Sequence, residues 1–183
     1  MNIGLYTDGS YGNGKTFGGV YLATDDGKEY MFKVKTSIQD MHDMNNVGGE
    51  ILGAMAGLAL ALTLVKKSGD KVNSIDLCYD YEGIGHWLDK EWQATKYATR
   101  YFLGYIRKVF EIASKYGCDI SYRWTKSHSG VYGNEMADMV ASYKQEYDKY
   151  IIINSYEDID SLLSNVTWQY SERSLLCRRL KFY

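Results

Sequence analysis

The chain has 183 residues, 45% apolar and 24% charged, which suits one globular domain of ordinary size with an appendage. A net charge of −2 excludes the global basic field that many nucleic-acid binders carry and leaves only a local patch for that purpose. No apolar run approaches the roughly 20 residues a membrane span needs, and the opening MNIGLYTDGS has neither the basic region nor the apolar stretch of a secretion signal.

Segment 2–7 reads as a first strand, followed by a Gly- and Asn-rich loop, DGSYGNGK. Segment 17–24 is a second strand. The turn DDGK at 25–28 carries an Asp-Gly hairpin signal, and 29–36 alternates with Tyr30, Phe32 and Val34 on one face. These three strands form an antiparallel meander. From Glu50 to Lys67 the period changes: Ile51, Met55, Leu58, Leu62 and Val65 recur at three and four residues, which specifies a helix. Gly49, Gly53 and Gly57 form a stripe on it. Glycine costs about 1 kcal/mol in a helix interior, so the stripe predicts close packing against a sheet. SGDK at 68–71 ends this helix, and 73–79 is a fourth strand. Residues 82–90 and 97–116 read as helices, 118–124 as a fifth strand, and 133–149 as a last helix.

The order β-β-β-α-β-α-α-β-α predicts an α/β fold: a mixed five-stranded sheet, three strands antiparallel and the rest parallel, flanked by helices that supply the crossovers. Residues 1–149 form one domain in this reading. Residues 150–183 are a C-terminal extension in which YIIINS can add a strand, YEDIDSLLSNV a short helix, and ERSLLCRRLKFY a basic, aromatic end. Cys78, Cys118 and Cys177 are odd in number and include no C-x-x-C pair. They argue against a disulfide framework or zinc site and for a reducing, cytoplasmic setting, with Cys78 and Cys118 as small core residues.

The acidic residues fall at telling places. Asp8 follows the first strand and Asp80 the fourth. Parallel neighbours bring their carboxyl ends together, where α/β sheets bind ligands. Glu50 opens the long helix and Asp138 lies near the start of the last one. Singly, Asp8 and Asp80 read as turn or loop residues, Glu50 as a first-turn acid favoured by the helix dipole, and Asp138 as a cap. Together they gather at one sheet edge. Clustered carboxylates repel, and a hard divalent cation relieves that repulsion. Two magnesium ions can activate a water and stabilise a leaving oxygen in phosphodiester cleavage, and manganese shares the preference for oxygen ligands.

The pieces YTDGSYGNG at 6–14, NNVGGE at 45–50, LCYDYEGIGHW at 77–87 and TKSHSGVYGNEMAD at 125–138 resemble ribonuclease H of type 1, in the family's order over roughly residues 1–145. The resemblance implies a ribonuclease H-like fold and an endonuclease that cleaves the RNA strand of RNA–DNA hybrids, leaving 3′-hydroxyl and 5′-phosphate ends. It implies that Asp8, Glu50, Asp80 and Asp138 hold two Mg2+ ions, with Mn2+ a possible substitute. It also implies that His128, on a mobile loop, assists the attacking water or product release.

A hybrid is distinguished by the 2′-hydroxyl of its RNA strand. Ser10, Asn13, Asn45, Asn46 and Asn134 are short polar candidates for that strand, with the choice between Asn45 and Asn46 open. Turn or cap roles are the plainer alternative for each asparagine. Lys90, Lys96, Arg100, Arg107 and Lys108, set among Trp87, Trp92, Tyr97 and Tyr101, suit a groove for the DNA backbone, and equally the solvated face of an amphipathic helix. The other readings are a DNA nuclease on the same fold and a non-catalytic nucleic-acid-binding module. Neither a membrane nor an obligate protein partner is evident.

Overall fold

β1 (Asn2–Gly12) and β2 (Lys15–Thr24) form one long antiparallel hairpin, in register from Ile3 opposite Thr24 to Gly12 opposite Lys15. The computed structural model that shows this describes residues 1–67, 72–144 and 150–164. The strand runs through the stretch that composition assigns to a loop. The turn itself is only Asn13–Gly14, both at positive φ (52° and 68°), as a tight Asn-Gly hairpin turn requires. Asp8 therefore lies within β1, opposite Gly19, rather than after a strand that ends at residue 7. The glycines here serve clearance rather than turning. A Cβ on Gly9 would overlap the amide nitrogen of Glu50, and one on Gly19 would overlap the backbone of Ala137.

β3 (Glu29–Thr36) completes the meander on β2. A single turn, α1 (Gln39–His42), leads into α2 (Asn46–Lys67). β4 (Ser74–Tyr79) then pairs parallel to β1, and β5 (Asp119–Trp124) parallel to β4. Between them run α3 (Gly83–Leu88) and α4 (Tyr97–Lys115), and α5 (Tyr132–Ala141) follows β5. The sheet has six strands in the order β5-β4-β1-β2-β3-β6: the five of the expected mixed sheet and the strand that YIIINS was able to add. The extra edge strand, β6 (Ile151–Ile153), pairs parallel to β3. α6 (Tyr156–Ser164) follows and buries Ile159 and Leu162 in the main core. The candidate helix end at 68–71 and the basic terminus at 172–183, with Cys177, lie outside the described residues. Cys78 and Cys118 are buried free thiols.

α2 lies across the sheet because its glycine stripe allows it to. A Cβ on Gly49 would overlap the carbonyl oxygen of Phe17, and one on Gly57 would crowd Leu5 and Thr7. α2 has 22 residues, and an 18-residue stretch of it has a mean hydropathy of 1.7, long and apolar enough to cross a membrane, which corrects the view that no apolar run has that length. That stretch is 89% buried against the sheet and neighbouring helices, as a core helix packed on one face of a sheet must be. α5 covers the other face over β1 and β2. It ends at Ala141, well short of residue 149; 145–149 lie outside the described residues. Two side chains from the sheet take its last carbonyls. Ser10 Oγ donates to the carbonyl of Ala141 at 2.5 Å, and Lys33 Nζ donates to that of Ser142 at 2.6 Å.

Candidate active site

Three elements bring their acids to one point. Asp8 projects from β1 on the face that α5 covers. Glu50 stands in the second turn of α2, drawn down by the contact of Gly9 with its backbone. Asp80 follows β4, beside β1. Carboxylate oxygens of Asp8, Glu50 and Asp80 lie within 4.8 Å of one another, and Asp8 and Glu50 are buried. Gly9 N donates to Asp8 Oδ1 at 2.6 Å. Asp80 is held twice from the β5 side: Trp124 Nε1 donates to its carbonyl at 2.8 Å and Ser127 Oγ to its Oδ2 at 2.9 Å.

The electrostatics follow from crowding. Burial pushes the Asp8 carboxyl up to about 7, with Asp80 and Asp138 adding to the rise. Burial raises Glu50 well above the usual carboxylate range, and Asp8 raises it further. Glu50 Oε2 is buried with no hydrogen-bond partner among the described residues. A buried carboxylate oxygen without a partner is costly. Three converging oxygen donors of this kind suit a hard divalent cation.

Asp138 lines the same open cleft of about 500 Å³ but stands outside the tight group of three. Its side chain is 45% exposed, and His128 Nδ1 lies 3.8 Å from its Oδ2. His128 is on the loop before α5, with a positive φ of 52° and a side chain 77% exposed. The cleft therefore brings all five residues together, three packed closely and two at the rim.

A sequence model of the RNase H family matches residues 1–146. The chain belongs to the RNase H family. Membership makes it a ribonuclease H hydrolase. Solved RNase H structures share its fold. RNase H1 from the halophilic archaeon Halobacterium salinarum is 19% identical, with a TM-score of 0.55 over 76% of this chain and 94% of that one. The N-terminal RNase H domain of a Mycobacterium tuberculosis protein is 17% identical, with a TM-score of 0.52 over 76% and 93%. LC11-RNase H1, crystallised with an RNA/DNA hybrid, is 15% identical, with a TM-score of 0.51 over 76% and 99%. No curated protein matches the sequence.

The polar residues expected around an RNase H site separate into groups. Ser10, Asn46 and Asn134 line the cleft. The Ser10 hydroxyl is already engaged with α5. Asn134 is 2% exposed, and its Oδ1 has no partner among the described residues. Asn45, at a positive φ of 52°, lines a neighbouring depression with Thr95, Lys96 and Thr99. Asn13 is exposed at the hairpin turn and does not line the cleft.

Of the basic and aromatic set, Trp87 belongs to the core, while Trp92 and Tyr97 are 43% and 52% exposed. Lys90, Lys96, Arg100, Arg107 and Lys108 are all exposed. Lys108 pairs with Asp160 of α6 at 3.1 Å, and Arg100 donates to the carbonyl of Thr95. The cleft also includes polar and aromatic residues that the sequence pattern did not single out, among them Ser127, Tyr143 and Lys144. Ser127 lies within the Lys-Ser-His piece and is legible there as a polar group next to His128. Tyr143 and Lys144 were hidden by the expectation that α5 continues.

Proposed function

We propose that the protein is an endonuclease that hydrolyses the RNA strand of RNA–DNA hybrids with two divalent ions, Mg2+ or alternatively Mn2+, leaving 3′-hydroxyl and 5′-phosphate ends. The observation that carries this reading is the group of Asp8, Glu50 and Asp80, whose oxygens converge while Glu50 Oε2 lacks a partner. The crystallisation of LC11-RNase H1 with an RNA/DNA hybrid supports the substrate.

Asp8, Glu50 and Asp80 would hold one or both ions, and Asp138, across the cleft, would complete the second site. When bound, such ions supply an activated water and a counter-charge for the leaving oxygen. The chain's own residues do the rest. Asp8 must be ionised to bind a cation, and its raised proton affinity means that binding displaces a proton. Ser127 and Trp124 hold Asp80 in place. Asn46, exposed in the cleft, offers its amide group to the ribose and backbone of the RNA strand, where the 2′-hydroxyl is both donor and acceptor, and the buried Asn134 backs the cleft wall. His128, 3.8 Å from Asp138 and 77% exposed, stands at the cleft rim where it can assist the attacking water or swing away to release product.

The test is strand choice. Duplexes labelled on one strand at a time (an RNA–DNA hybrid, double-stranded RNA and double-stranded DNA) are incubated with Mg2+ or with EDTA. The reading predicts Mg2+-dependent cutting of the hybrid's RNA strand alone. Cutting of duplex DNA would move the assignment to a DNA nuclease on the same fold, and binding without cutting to a nucleic-acid-binding module.

A further inference from the structure

β1 and the chain of α5 run side by side, and their contacts keep step. Tyr6 lies against Gly133, where a Cβ would overlap its ring. Ser10 Oγ reaches the carbonyl of Ala141, and Gly12 meets the Tyr143 ring so closely that a Cβ there would overlap it. Asp8 sits between the first two of these contacts, on the same face. The face that carries Asp8 therefore continues for four residues to Tyr143 and Lys144, about 13 Å at the usual rise per residue.

Three features fix this end of the cleft. The helix stops at Ala141, its exit carbonyls are taken by Ser10 and Lys33, and Tyr143 is seated on a glycine. Lys33 is itself 3% exposed, with Nζ 4.6 Å from the centroid of the Phe17 ring. Tyr143 and Lys144 line the cleft that holds Asp8, Glu50, Asp80 and Asp138. Tyr143 keeps 39% of its surface open, and Lys144 is exposed with Nζ 5.8 Å from the Tyr143 ring centroid. A cation on an aromatic base thus faces a cleft otherwise rich in carboxylates. It attracts a phosphate that the carboxylates alone would repel.

We propose that Tyr143 and Lys144 form a substrate-positioning wall. Lys144 binds a backbone phosphate of the strand being cut, a few nucleotides from the scissile bond, and Tyr143 packs against the intervening sugar. This rests on the nuclease reading of the cleft. The cut strand is the one implicated because the same cleft contains both the lysine and the carboxylates.

The test compares the unaltered 183-residue chain with Lys144→Gln, Tyr143→Ala and, as a control, Lys115→Gln at the exposed end of α4. Steady-state cleavage of an RNA–DNA hybrid is measured across a salt series, with hybrid binding measured separately in Ca2+ by fluorescence anisotropy. Lys144→Gln should raise KM by about three- to tenfold, more than it lowers kcat, and reduce the slope of log KM against log salt by about one, the signature of one lost phosphate contact. Tyr143→Ala should raise KM without changing that slope. Lys115→Gln should change neither. An unchanged KM and slope for Lys144→Gln, in a protein with wild-type circular dichroism, would overturn the proposal. If the wild type fails to cut hybrids, the nuclease reading falls. The anisotropy arm then decides the wall: a salt slope reduced in Lys144→Gln keeps it, and an equal slope removes it.

Discussion

Ser127 Oγ donates to Oδ2 of Asp80 at 2.9 Å, joining the loop that carries His128 to one of the clustered carboxylates. Groups that orient metal-ligating carboxylates matter nearly as much as the ligands, commonly by about tenfold or more in metal affinity or activity. Ser127→Ala is therefore predicted to raise the Mg2+ concentration for half-maximal activity about tenfold, with folding unchanged. A metal titration of activity checks this, and an unchanged midpoint would show that Asp80 is held well enough by its backbone contact to Trp124.

Asp8 gives the fold a pH signature in the absence of metal. Its carboxyl titrates near 7 in the fold, against 3.8 for an exposed aspartate, because burial opposes the charge. Between those values the folded state holds a proton that the unfolded chain has released. Stability from this group is complete at low pH and is lost as pH rises through about 7. In EDTA, Asp8→Asn should melt above wild type at pH 8, with the gap closing toward pH 4. Mg2+ should raise the wild-type melting point more than that of the variant. A melting series over pH with and without metal reads both effects.

The glycine contacts make opposite predictions at two positions. Gly49→Ala puts a methyl into the backbone of Phe17 and Gly9, with no flexible side chain to yield. Overpacking of this kind should destabilise by about 3 kcal/mol. Gly104, inside α4, has open space where its Cβ would be. Gly104→Ala should stabilise by about 0.5–1 kcal/mol through helix propensity. Urea unfolding of both variants checks the pair.

Residues 150–164, the described part of the extension, are fastened to the body. β6 extends the sheet, Ile159 is fully buried in the core, and Tyr101 Oη donates to the carbonyl of Tyr156 at 3.0 Å. Ile159→Ala is predicted to cost about 2–4 kcal/mol, in a single cooperative transition. A separate early transition would mean that α6 unfolds alone.

Most of this architecture was legible because the periodicities are strong. The alternation through Tyr30, Phe32 and Val34 marks β3, and the three-and-four spacing through Ile51, Met55 and Leu58 marks α2. The glycine stripe of α2 announced its contact with the sheet. The second half of β1 was not legible, because Gly9, Ser10 and Gly12 carry the composition of a turn while serving as clearance for α2 and for the chain after α5. The end of α5 was equally hidden. Nothing local stops that helix at Ala141, and its last carbonyls are met by Ser10 and Lys33 from distant strands. β6 was legible as a strand at YIIINS, but its parallel pairing with β3 at the sheet edge was not, because three residues carry no register of their own. For the site, acids at strand ends and helix starts sufficed to group Asp8, Glu50 and Asp80. The wider setting of Asp138 and the separation of Asn45 from Asn46 depend on packing that no spacing encodes.

On the proposed function, Asp8, Glu50 and Asp80 hold the metal needed to cut the RNA strand. The most direct measurement is cleavage and binding of one end-labelled hybrid by wild type and Asp8→Asn, with Mg2+ for cleavage and Ca2+ for binding. The variant should bind the hybrid within a few-fold of wild type and cut it about a hundred- to a thousandfold more slowly, the scale of losing a principal electrostatic element of catalysis. Cleavage by Asp8→Asn at a rate near that of wild type would contradict that role.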